Sequence, residues 1–303
     1  MRALRLHSPG GPASLAYEDL DTPKPGPGQA LVRVCAAAIT RDELDWPVDR
    51  LPAIPSYEFS GVVVAAAPDV ADSMMGESVY AVCPFDHDGA AAEYAILPAA
   101  LIAPKPRTLD HVESAAVPLA GLSAWQGLFD HGGLEQGQRV LIHGAAGGVG
   151  NFAVQIAHQH GAYVIGTTST ASVEAVRGLG ADRVIDYTMA PFEHGLEDLD
   201  LVFDTVGGER LQKSPAVLRP GGRLVSVAEE PTTGGEASRG ITARYFVVKP
   251  NHNELVALAG LIERGALHPS IDAVFPFSQA HHAFERSLAR HGPGKIVIRI
   301  TDE

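Results

Sequence analysis

Residues 139–155 read RVLIHGAAGGVGNFAVQ and decide the fold of the middle of this 303-residue chain. An apolar run, RVLIH, precedes a segment of small residues, and apolar residues with helical spacing follow it. In the fingerprint G-x-G-x-x-G, the middle and last glycines correspond to Gly147 and Gly150, and Ala145 replaces the first. The pattern predicts a backbone cradle for the pyrophosphate of a dinucleotide. Gly147 would admit the phosphates, and Gly150 would let the helix pack closely on the strand.

The segments around this loop predict a doubly wound parallel sheet. Apolar strand-like runs alternate with helical runs after about residue 118, and such alternation is typical of a parallel sheet with helices on both faces. The predicted strands are residues 139–143, 162–166, 183–186, 199–204 and 222–227, and the predicted helices are residues 151–160, 172–179 and 209–218.

The first third of the chain has a different pattern. Eight of the 22 prolines fall before residue 56, and short β-rich runs lie at residues 30–39, 59–65 and 78–83. Short strands interrupted by proline and glycine predict an irregular antiparallel barrel or sandwich. From about residue 253 the pattern predicts two helices and a final strand, residues 295–300, which we expect to return to the first domain.

The segment after the second predicted strand bears on the choice of nucleotide. NAD-preferring folds usually place an Asp or Glu there, where it binds the ribose hydroxyls. This chain has GTTST (166–170) at that position, without an acid. Small hydroxyl residues leave room for a 2′-phosphate, so the segment favours NADPH, with NADH as the alternative. The same residues can also cap the following helix.

The composition excludes several classes of function. The formal charge of −13 disfavours binding to nucleic acid. Two cysteines, Cys35 and Cys83, are too few for a disulfide framework or a four-cysteine metal site. No apolar run approaches the length of a membrane-spanning helix, and the opening MRALRLHSPGG lacks the apolar core of a signal peptide. We therefore expect a soluble, cytoplasmic protein that acts on a small molecule.

Seven segments together resemble the medium-chain dehydrogenase/reductase superfamily, and within it the zinc-free quinone oxidoreductase-like branch. They are GAAAEYAILPA (89–99), PLAGLSAWQGLF (118–129), VLIHGAAGGVG (140–150), LGADRVIDY (179–187), VFDTVGG (202–208), LRPGGRLVSV (218–227) and GKIVIRI (294–300). The resemblance implies an α/β protein with a GroES-like, β-barrel-like catalytic domain (1–117 and 252–303) and a Rossmann domain (118–251). It also implies a cleft in which the nicotinamide meets the substrate.

The resemblance also implies a set of cofactor contacts. These are Ser123 near the nicotinamide; Ala146, Gly147, Gly148 and Val149 on the pyrophosphate; Ser169 and Tyr187 near the adenosine ribose; Thr205 and Val206 near the nicotinamide ribose; and Val227 at the ring edge. An alternative for Tyr187 is an exposed aromatic residue at a strand end. Relatives often carry a basic residue two positions after the serine, where this chain has Ala171, which weakens the preference for NADPH.

Zinc-dependent members of the superfamily carry the ligand motifs C-G-[ST]-D and G-H-E. The corresponding segments here read ITRD (39–42) and SYE (56–58), so that Ile39 replaces the cysteine and Tyr57 the histidine. Catalytic zinc needs about three protein ligands. We therefore expect no zinc, and we expect Cys83 and His87, a local Cys/His pair, to be structural.

Without a zinc Lewis acid, the predicted reaction is hydride transfer from NADPH to an acceptor that is already electrophilic: a quinone or an α,β-unsaturated carbonyl compound. The candidate donors to the developing oxyanion are Thr40, Arg41 and Tyr57, and the candidate pocket residues are Trp46, Phe246 and Asn251. Arg41 can equally attract an anionic substrate or pair with Asp42 or Glu43 at the surface. The alternatives are an enoyl-thioester or polyketide-tailoring reductase and a non-catalytic NADPH-binding redox sensor. We also expect a homodimer through the Rossmann edge strand, residues 243–248.

Overall fold

A computed structural model describes residues 1–46, 49–232, 239–289 and 292–301. The chain forms two compact units. The first, which we call the terminal unit, comprises Met1–Leu119, Lys249–Gly265 and Pro269–Glu303. The second, which we call the central unit, comprises Ala120–Val248 and Ala266–His268. No helix among the described residues is long and apolar enough to cross a membrane.

The strands in chain order are β1 (Arg2–Leu6), β2 (Leu15–Asp19), β3 (Gln29–Ile39), β4 (Glu58–Ala66), β5 (Ser78–Val82), β6 (Tyr94–Pro98), β7 (Ala103–Pro104), β8 (Arg139–Ile142), β9 (Tyr163–Thr168), β10 (Arg183–Asp186), β11 (Leu199–Asp204), β12 (Leu218–Ser226), β13 (Thr242–Tyr245), β14 (Ile271–Pro276) and β15 (Lys295–Arg299). The α-helices are α1 (His111–Ala115), α2 (Pro118–Trp125), α3 (Gly148–Gln159), α4 (Val173–Gly178), α5 (Gly208–Lys213), α6 (His252–Glu263) and α7 (Ala280–Leu288).

The main sheet of the terminal unit runs in the order β14–β15–β3–β4–β5–β7, and β6 pairs with β3. The last strand, β15, pairs antiparallel with β3, with Ile296 opposite Ile39. The predicted return of the final strand to the first domain is therefore confirmed. A cluster of small buried residues, Ala36, Ala38, Ala115 and Ala116, lets α1 lie close to β3.

The sheet of the central unit is parallel throughout, in the order β10–β9–β8–β11–β12–β13. The chain moves outward from β8 to β10 and then returns to the other side of β8, so the strand order reverses between β8 and β11. Ligands of such sheets bind outside the carboxyl ends of the strands at this reversal. Val140, Leu141 and Ile142 of β8 are completely buried, as a central strand covered on both faces requires. The predicted doubly wound fold is confirmed.

Some predicted boundaries were wrong. Helix α3 begins at Gly148, three residues before the predicted start at 151, because two glycines of the loop form its first turn. The helix predicted over 209–218 is divided into α5 and a 3₁₀ turn, Ser214–Val217. Pro215 explains this division, since proline has no N–H for a helical hydrogen bond.

Candidate nucleotide-binding and active site

The glycine loop turns sharply between β8 and α3. Gly144 has φ +70°, a left-handed conformation that suits glycine. Its missing side chain also matters, because a Cβ there would lie 2.6 Å from Oγ1 of Thr205 and 2.8 Å from Val206. The carbonyl of Gly144 then accepts a 2.8 Å hydrogen bond from the N–H of Gly147, which closes the turn.

Gly147 and Gly150 are small for different reasons. A Cβ on Gly150 would lie 2.1 Å from the carbonyl oxygen of Gly144 and 2.9 Å from Cα of Ala145, so the protein's own packing requires glycine there. A Cβ on Gly147 would meet one atom within 4 Å, the Gly144 oxygen at 3.2 Å. Gly147 is exposed and has an ordinary φ of −72°. Protein packing does not explain its glycine, whereas the close approach of a phosphate does.

The amino terminus of α3 follows directly on this open position. Gly147 is the N-cap residue, and no side chain caps the helix. The first N–H groups of a helix lack partners within the helix and carry partial positive charge. Together with the open space at Gly147, they fit the pyrophosphate of a dinucleotide.

His143 supports the base of the loop. Its Nδ1 lies 3.1 Å from the Thr167 hydroxyl and its Nε2 lies 3.0 Å from the Ser214 hydroxyl. Burial, assisted by the charge of Arg210, lowers the pKa of this imidazole to about 3. His143 is therefore neutral at neutral pH. Its carbonyl oxygen accepts a 2.8 Å hydrogen bond from the Thr205 hydroxyl, which ties two loops together.

Asp204 supports the adjacent loop at the end of β11. Its carboxylate accepts hydrogen bonds from the N–H of Gly207 (2.9 Å) and the hydroxyl of Ser226 (2.9 Å). Burial raises the pKa of this carboxyl group. Through these contacts Asp204, in the segment VFDTVGG, holds the loop that carries Thr205 and Val206 in place.

The predicted cofactor contacts of the central unit follow the carboxyl ends of its parallel strands. They are Ala146, Gly147, Gly148 and Val149 after β8, Ser169 after β9, Tyr187 after β10, Thr205 and Val206 after β11, and Val227 after β12. Because the carboxyl ends of parallel strands meet at one edge of the sheet, the topology brings this set together. Ser123 is instead buried in α2. The contact of each residue with a cofactor stays a prediction.

The end of β9 has charged neighbours that sequence reasoning missed. The Thr170 hydroxyl donates a 2.5 Å hydrogen bond to Asp186, the last residue of β10. Hydrogen bonds from Thr170 and Thr188 lower the pKa of this carboxyl group, so Asp186 is charged at neutral pH. The Arg210 guanidinium carbon lies 3.9 Å from the centre of the Tyr187 ring. The register of β9 and β10 could have suggested Asp186, but no signal in the sequence indicated Arg210.

In the terminal unit, two residues stand where zinc-dependent relatives carry ligands. Ile39 ends β3, and its buried hydrocarbon side chain has no lone pair for a metal. Tyr57 is completely buried, and its Oη accepts a 2.5 Å hydrogen bond from the Arg50 guanidinium. Burial raises the pKa of the Tyr57 hydroxyl, which keeps it protonated. Neither side chain suits a zinc ion.

Glu58, the acid that corresponds to the last residue of the G-H-E motif, is already paired. Its Oε1 lies 2.6 Å from Nζ of Lys295, and its Oε2 accepts a 2.8 Å hydrogen bond from the N–H of Leu119. Both charged side chains are almost completely buried. Over the described ranges, no group of three His, Cys, Asp or Glu side chains could hold a metal ion. The residues at these three positions therefore do not fit zinc.

Cys83 and His87, the local Cys/His pair, have separate environments. Burial raises the pKa of the Cys83 thiol to about 12. Nδ1 of His87 lies 2.7 Å from Oδ1 of Asp86 at the surface. A protonated, buried thiol acts as a small core residue.

Thr40 lies beside the buried ion pair. Its hydroxyl oxygen accepts a 3.2 Å hydrogen bond from Nζ of Lys295. Its backbone N–H donates to one oxygen of Glu43 at 3.0 Å, and the N–H of Ser56 donates to the other at 3.1 Å. Burial raises the pKa of Glu43 to about 8. Glu43 thus fixes the backbone of two segments, and Lys295 fixes the hydroxyl of Thr40.

The other two candidate donors have different surroundings. The guanidinium of Arg41 is exposed and donates a 2.8 Å hydrogen bond to the carbonyl of Leu288. The Glu43 carboxyl group, one of its two expected acidic partners, is buried and binds backbone N–H groups instead. Tyr57 is enclosed, as described above. The three residues are not equivalent, and of them Thr40 and Arg41 are accessible to solvent.

The candidate pocket residues also differ. The Trp46 ring lies 5.5 Å from Tyr57 and 5.2 Å from Phe85, centre to centre, in an aromatic group of the terminal unit. Asn251 caps α6, where its side chain accepts hydrogen bonds from the N–H groups of Asn253 and Glu254. This capping role explains an asparagine at position 251 without any contact to a substrate.

Phe246 belongs to the central unit. It is buried, and its ring centre lies 4.2 Å from that of His131. The substrate-binding roles of Trp46, Phe246 and Asn251 stay predictions.

Comparisons with known proteins agree with this fold. Residues 26–107 match the alcohol dehydrogenase GroES-like domain, and residues 179–298 match a family described as zinc-binding dehydrogenase. A probable zinc-binding mitochondrial oxidoreductase of Arthroderma benhamiae is 30% identical over 310 residues, which cover 95% of this chain and 93% of that protein. The chloroplastic NADPH-dependent alkenal/one oxidoreductase of Arabidopsis thaliana is 34% identical over 293 residues, covering 89% and 72%. The structure of the quinone oxidoreductase from Coxiella burnetii superposes with a TM-score of 0.90 at 30% identity and covers 99% of each chain.

A doubly wound sheet with a glycine loop at its strand-order reversal, in one chain with a GroES-like domain, defines an oxidoreductase that uses a nicotinamide cofactor. The chain belongs to the medium-chain dehydrogenase/reductase superfamily, in its quinone oxidoreductase-like branch. The family predicted from the sequence is confirmed.

Proposed function

We propose that this protein is an NADPH-dependent oxidoreductase that transfers hydride to a quinone or an α,β-unsaturated carbonyl compound without zinc. The observation that carries the proposal is the state of the zinc-motif positions: Ile39, Tyr57 with its hydrogen bond from Arg50, and Glu58 in its ion pair with Lys295. Without a metal to polarise an alcohol or a simple ketone, the acceptor must be electrophilic by itself. Relatives named as alkenal/one and quinone oxidoreductases support the same acceptor class.

The central unit contributes binding and orientation. A bound nicotinamide supplies a hydride, and the protein supplies the position from which it is delivered. The open space at Gly147 and the uncapped start of α3 would hold the pyrophosphate. Thr205, on the adjacent loop after β11 and held by the carbonyl of His143, would then lie near the nicotinamide ribose.

The terminal unit contributes a hydrogen-bond donor. Because the oxygen of Thr40 accepts from Lys295, its hydroxyl proton is free to point elsewhere. Such a proton can stabilise an oxyanion that forms as hydride reaches a conjugated carbonyl. Among the three candidate donors, Thr40 combines access to solvent with a hydroxyl oxygen that Lys295 already fixes. The buried Tyr57 hydroxyl and the Leu288-bonded Arg41 guanidinium are less suited.

The preference for NADPH has separate support. No acidic side chain ends β9, which finishes at Thr167 and Thr168 and leads into Ser169. The relative from Arabidopsis thaliana is named NADPH-dependent. Asp186 adds a negative charge near Thr170, which would oppose a 2′-phosphate unless a cation offsets it.

The test is the oxidation of NADPH, followed by absorbance, with a panel of quinones, alkenals, alkenones, saturated aldehydes and enoyl-thioesters. We expect turnover with quinones or conjugated carbonyls and none with saturated aldehydes, unchanged after treatment with a metal chelator. Turnover confined to enoyl-thioesters would favour the acyl-thioester reductase. Tight NADPH binding without turnover of any acceptor would favour a redox sensor. Stoichiometric zinc in the active protein would refute the zinc-independent mechanism.

We also propose that the protein forms a homodimer through β13. In the described sheet this strand pairs with β12 alone and leaves its other edge open. Tyr245 and the following Val247 are unusually exposed for large apolar residues, at 41% and 55%. An open edge with apolar side chains is a site for pairing with a second copy.

A further inference from the structure

The side chain of Arg210 has no assigned part in pyrophosphate binding or in hydride transfer. It lies on α5, half-buried, with its guanidinium stacked 3.9 Å above the Tyr187 ring. Its charge acts on Glu209, the residue before it in the sequence, and on His143. A guanidinium held over an aromatic ring loses little entropy when it binds an anion, and its planar fork suits phosphate oxygens.

Tyr187 connects this cation to the end of β9. The N–H of Tyr187 donates a 3.1 Å hydrogen bond to the carbonyl of Thr168, the last residue of β9. In doubly wound folds the adenosine ribose lies at the end of the second strand, which is β9 here. Arg210 also acts electrostatically on His143 at the end of β8. Because α5 follows β11 and Tyr187 follows β10, the guanidinium lies at the carboxyl edge of the sheet, where the adenosine half would bind.

The positive charge of Arg210 can offset a negative charge at this edge of the sheet. Asp186 is ionised and close to Thr170, and its oxygens already accept from Thr170 and Thr188. A 2′-phosphate next to Thr170 would be repelled by this carboxylate. A cation on the neighbouring Tyr187 would offset the repulsion and could donate two parallel hydrogen bonds.

We propose that Arg210, stacked on Tyr187, recognises the 2′-phosphate of NADPH and so determines the preference for NADPH over NADH. The proposal rests on the proposed function, because it assumes that NADPH is the cofactor. The segment GTTST lacks a basic residue of its own, and the proposal assigns this role to a residue of α5, about forty positions further along the chain.

The test compares wild type, Arg210→Met and Asp186→Asn in calorimetric binding of NADPH, NADH, adenosine 2′,5′-bisphosphate and AMP. Methionine keeps an extended apolar side chain over Tyr187 and removes the charge. For Arg210→Met we expect affinity for NADPH and the bisphosphate to fall about 10- to 100-fold, with NADH and AMP changed by less than about 3-fold. Asp186→Asn should strengthen NADPH binding, because a repelling charge is removed.

The outcomes separate this inference from the proposed function. If Arg210→Met keeps the wild-type ratio of affinities for NADPH and NADH, Arg210 does not recognise the 2′-phosphate. The proposed NADPH-dependent function is unaffected by that result. An equal loss of NADPH and NADH affinity would mean that Arg210 only supports Tyr187, which also overturns the inference. A wild-type preference for NADH would overturn both. Unchanged NADH binding by the variant serves as the control for correct folding.

Discussion

The two glycines at the start of α3 offer a matched test of what the loop does. Gly147→Ala and Gly150→Ala add the same methyl group three residues apart. At Gly147 the methyl group enters open space bounded by one oxygen at 3.2 Å, whereas at Gly150 it enters backbone atoms at 2.1, 2.7 and 2.9 Å. We expect the first variant to lose nucleotide binding and the second to lose stability.

The magnitudes follow from these distances. Ordinary contact begins near 3.4 Å, so Gly150→Ala needs a displacement of about 1.3 Å (3.4 − 2.1) between two backbone segments that are both fixed by hydrogen bonds. We expect a loss of about 1–3 kcal/mol, or roughly 3–10 °C in the melting temperature of the central unit. Gly147→Ala changes an exposed N-cap residue with permitted φ, so its cost is about 1 kcal/mol or less.

For NADPH binding the order of the two variants should be reversed: Gly147→Ala should weaken binding more than Gly150→Ala does. A methyl group at Gly147 would occupy the space proposed for the pyrophosphate, and overpacking of that size weakens binding about 10- to 100-fold. Calorimetric titration with NADPH and thermal denaturation without it measure the two quantities separately. Wild-type affinity in Gly147→Ala would refute the assignment of the loop. Wild-type stability in Gly150→Ala would refute the packing argument.

Three further predictions concern the rest of the molecule. Burial raises the pKa of Glu43 to about 8, so its stabilising contribution is complete below the unfolded value near 4.5, falls by about 1.4 kcal/mol per pH unit above that value, and is lost once the pH has risen through 8. Urea denaturation should show a smaller fall in stability from pH 6 to 9 for Glu43→Gln than for wild type. Thr40→Val should lower kcat about 10- to 100-fold and leave KM for NADPH unchanged, while Thr40→Ser should keep most of the activity. Equal rates for the two variants would exclude a role for the hydroxyl group. Tyr245→Asp should shift the protein from dimer to monomer in light scattering, and a wild-type dimer of this variant would exclude pairing through β13.

The sequence was sufficient for the fold and the location of the nucleotide loop. The alternation of apolar strands and helices predicted the doubly wound sheet, because each parallel strand must be buried on both faces. The motif segments identified the family. Ile39 and Tyr57 marked the altered zinc positions, because ligand chemistry depends on residue type at a fixed position.

Partners of the site residues could not be predicted in the same way. Lys295 lies 255 positions after Thr40 in the chain, yet its ammonium group bonds both Thr40 and Glu58, because β15 returns to β3. The sequence suggests Glu43 only as a surface partner for Arg41. Burial reversed that interpretation, since a carboxyl group in the interior must find its own donors.

The sequence by itself determined the class of protein and the residue types that line the carboxyl edge of the central sheet. The tertiary structure decided which of them have neighbours of opposite charge, which are enclosed and which face open space. Gly147 and Gly150 are the same letter in the sequence, and only the distances around their missing Cβ atoms distinguish an open position from a packed one. The physical reason is that secondary structure follows local patterns, whereas steric space and charge pairing depend on segments that are distant in the chain and adjacent only after folding.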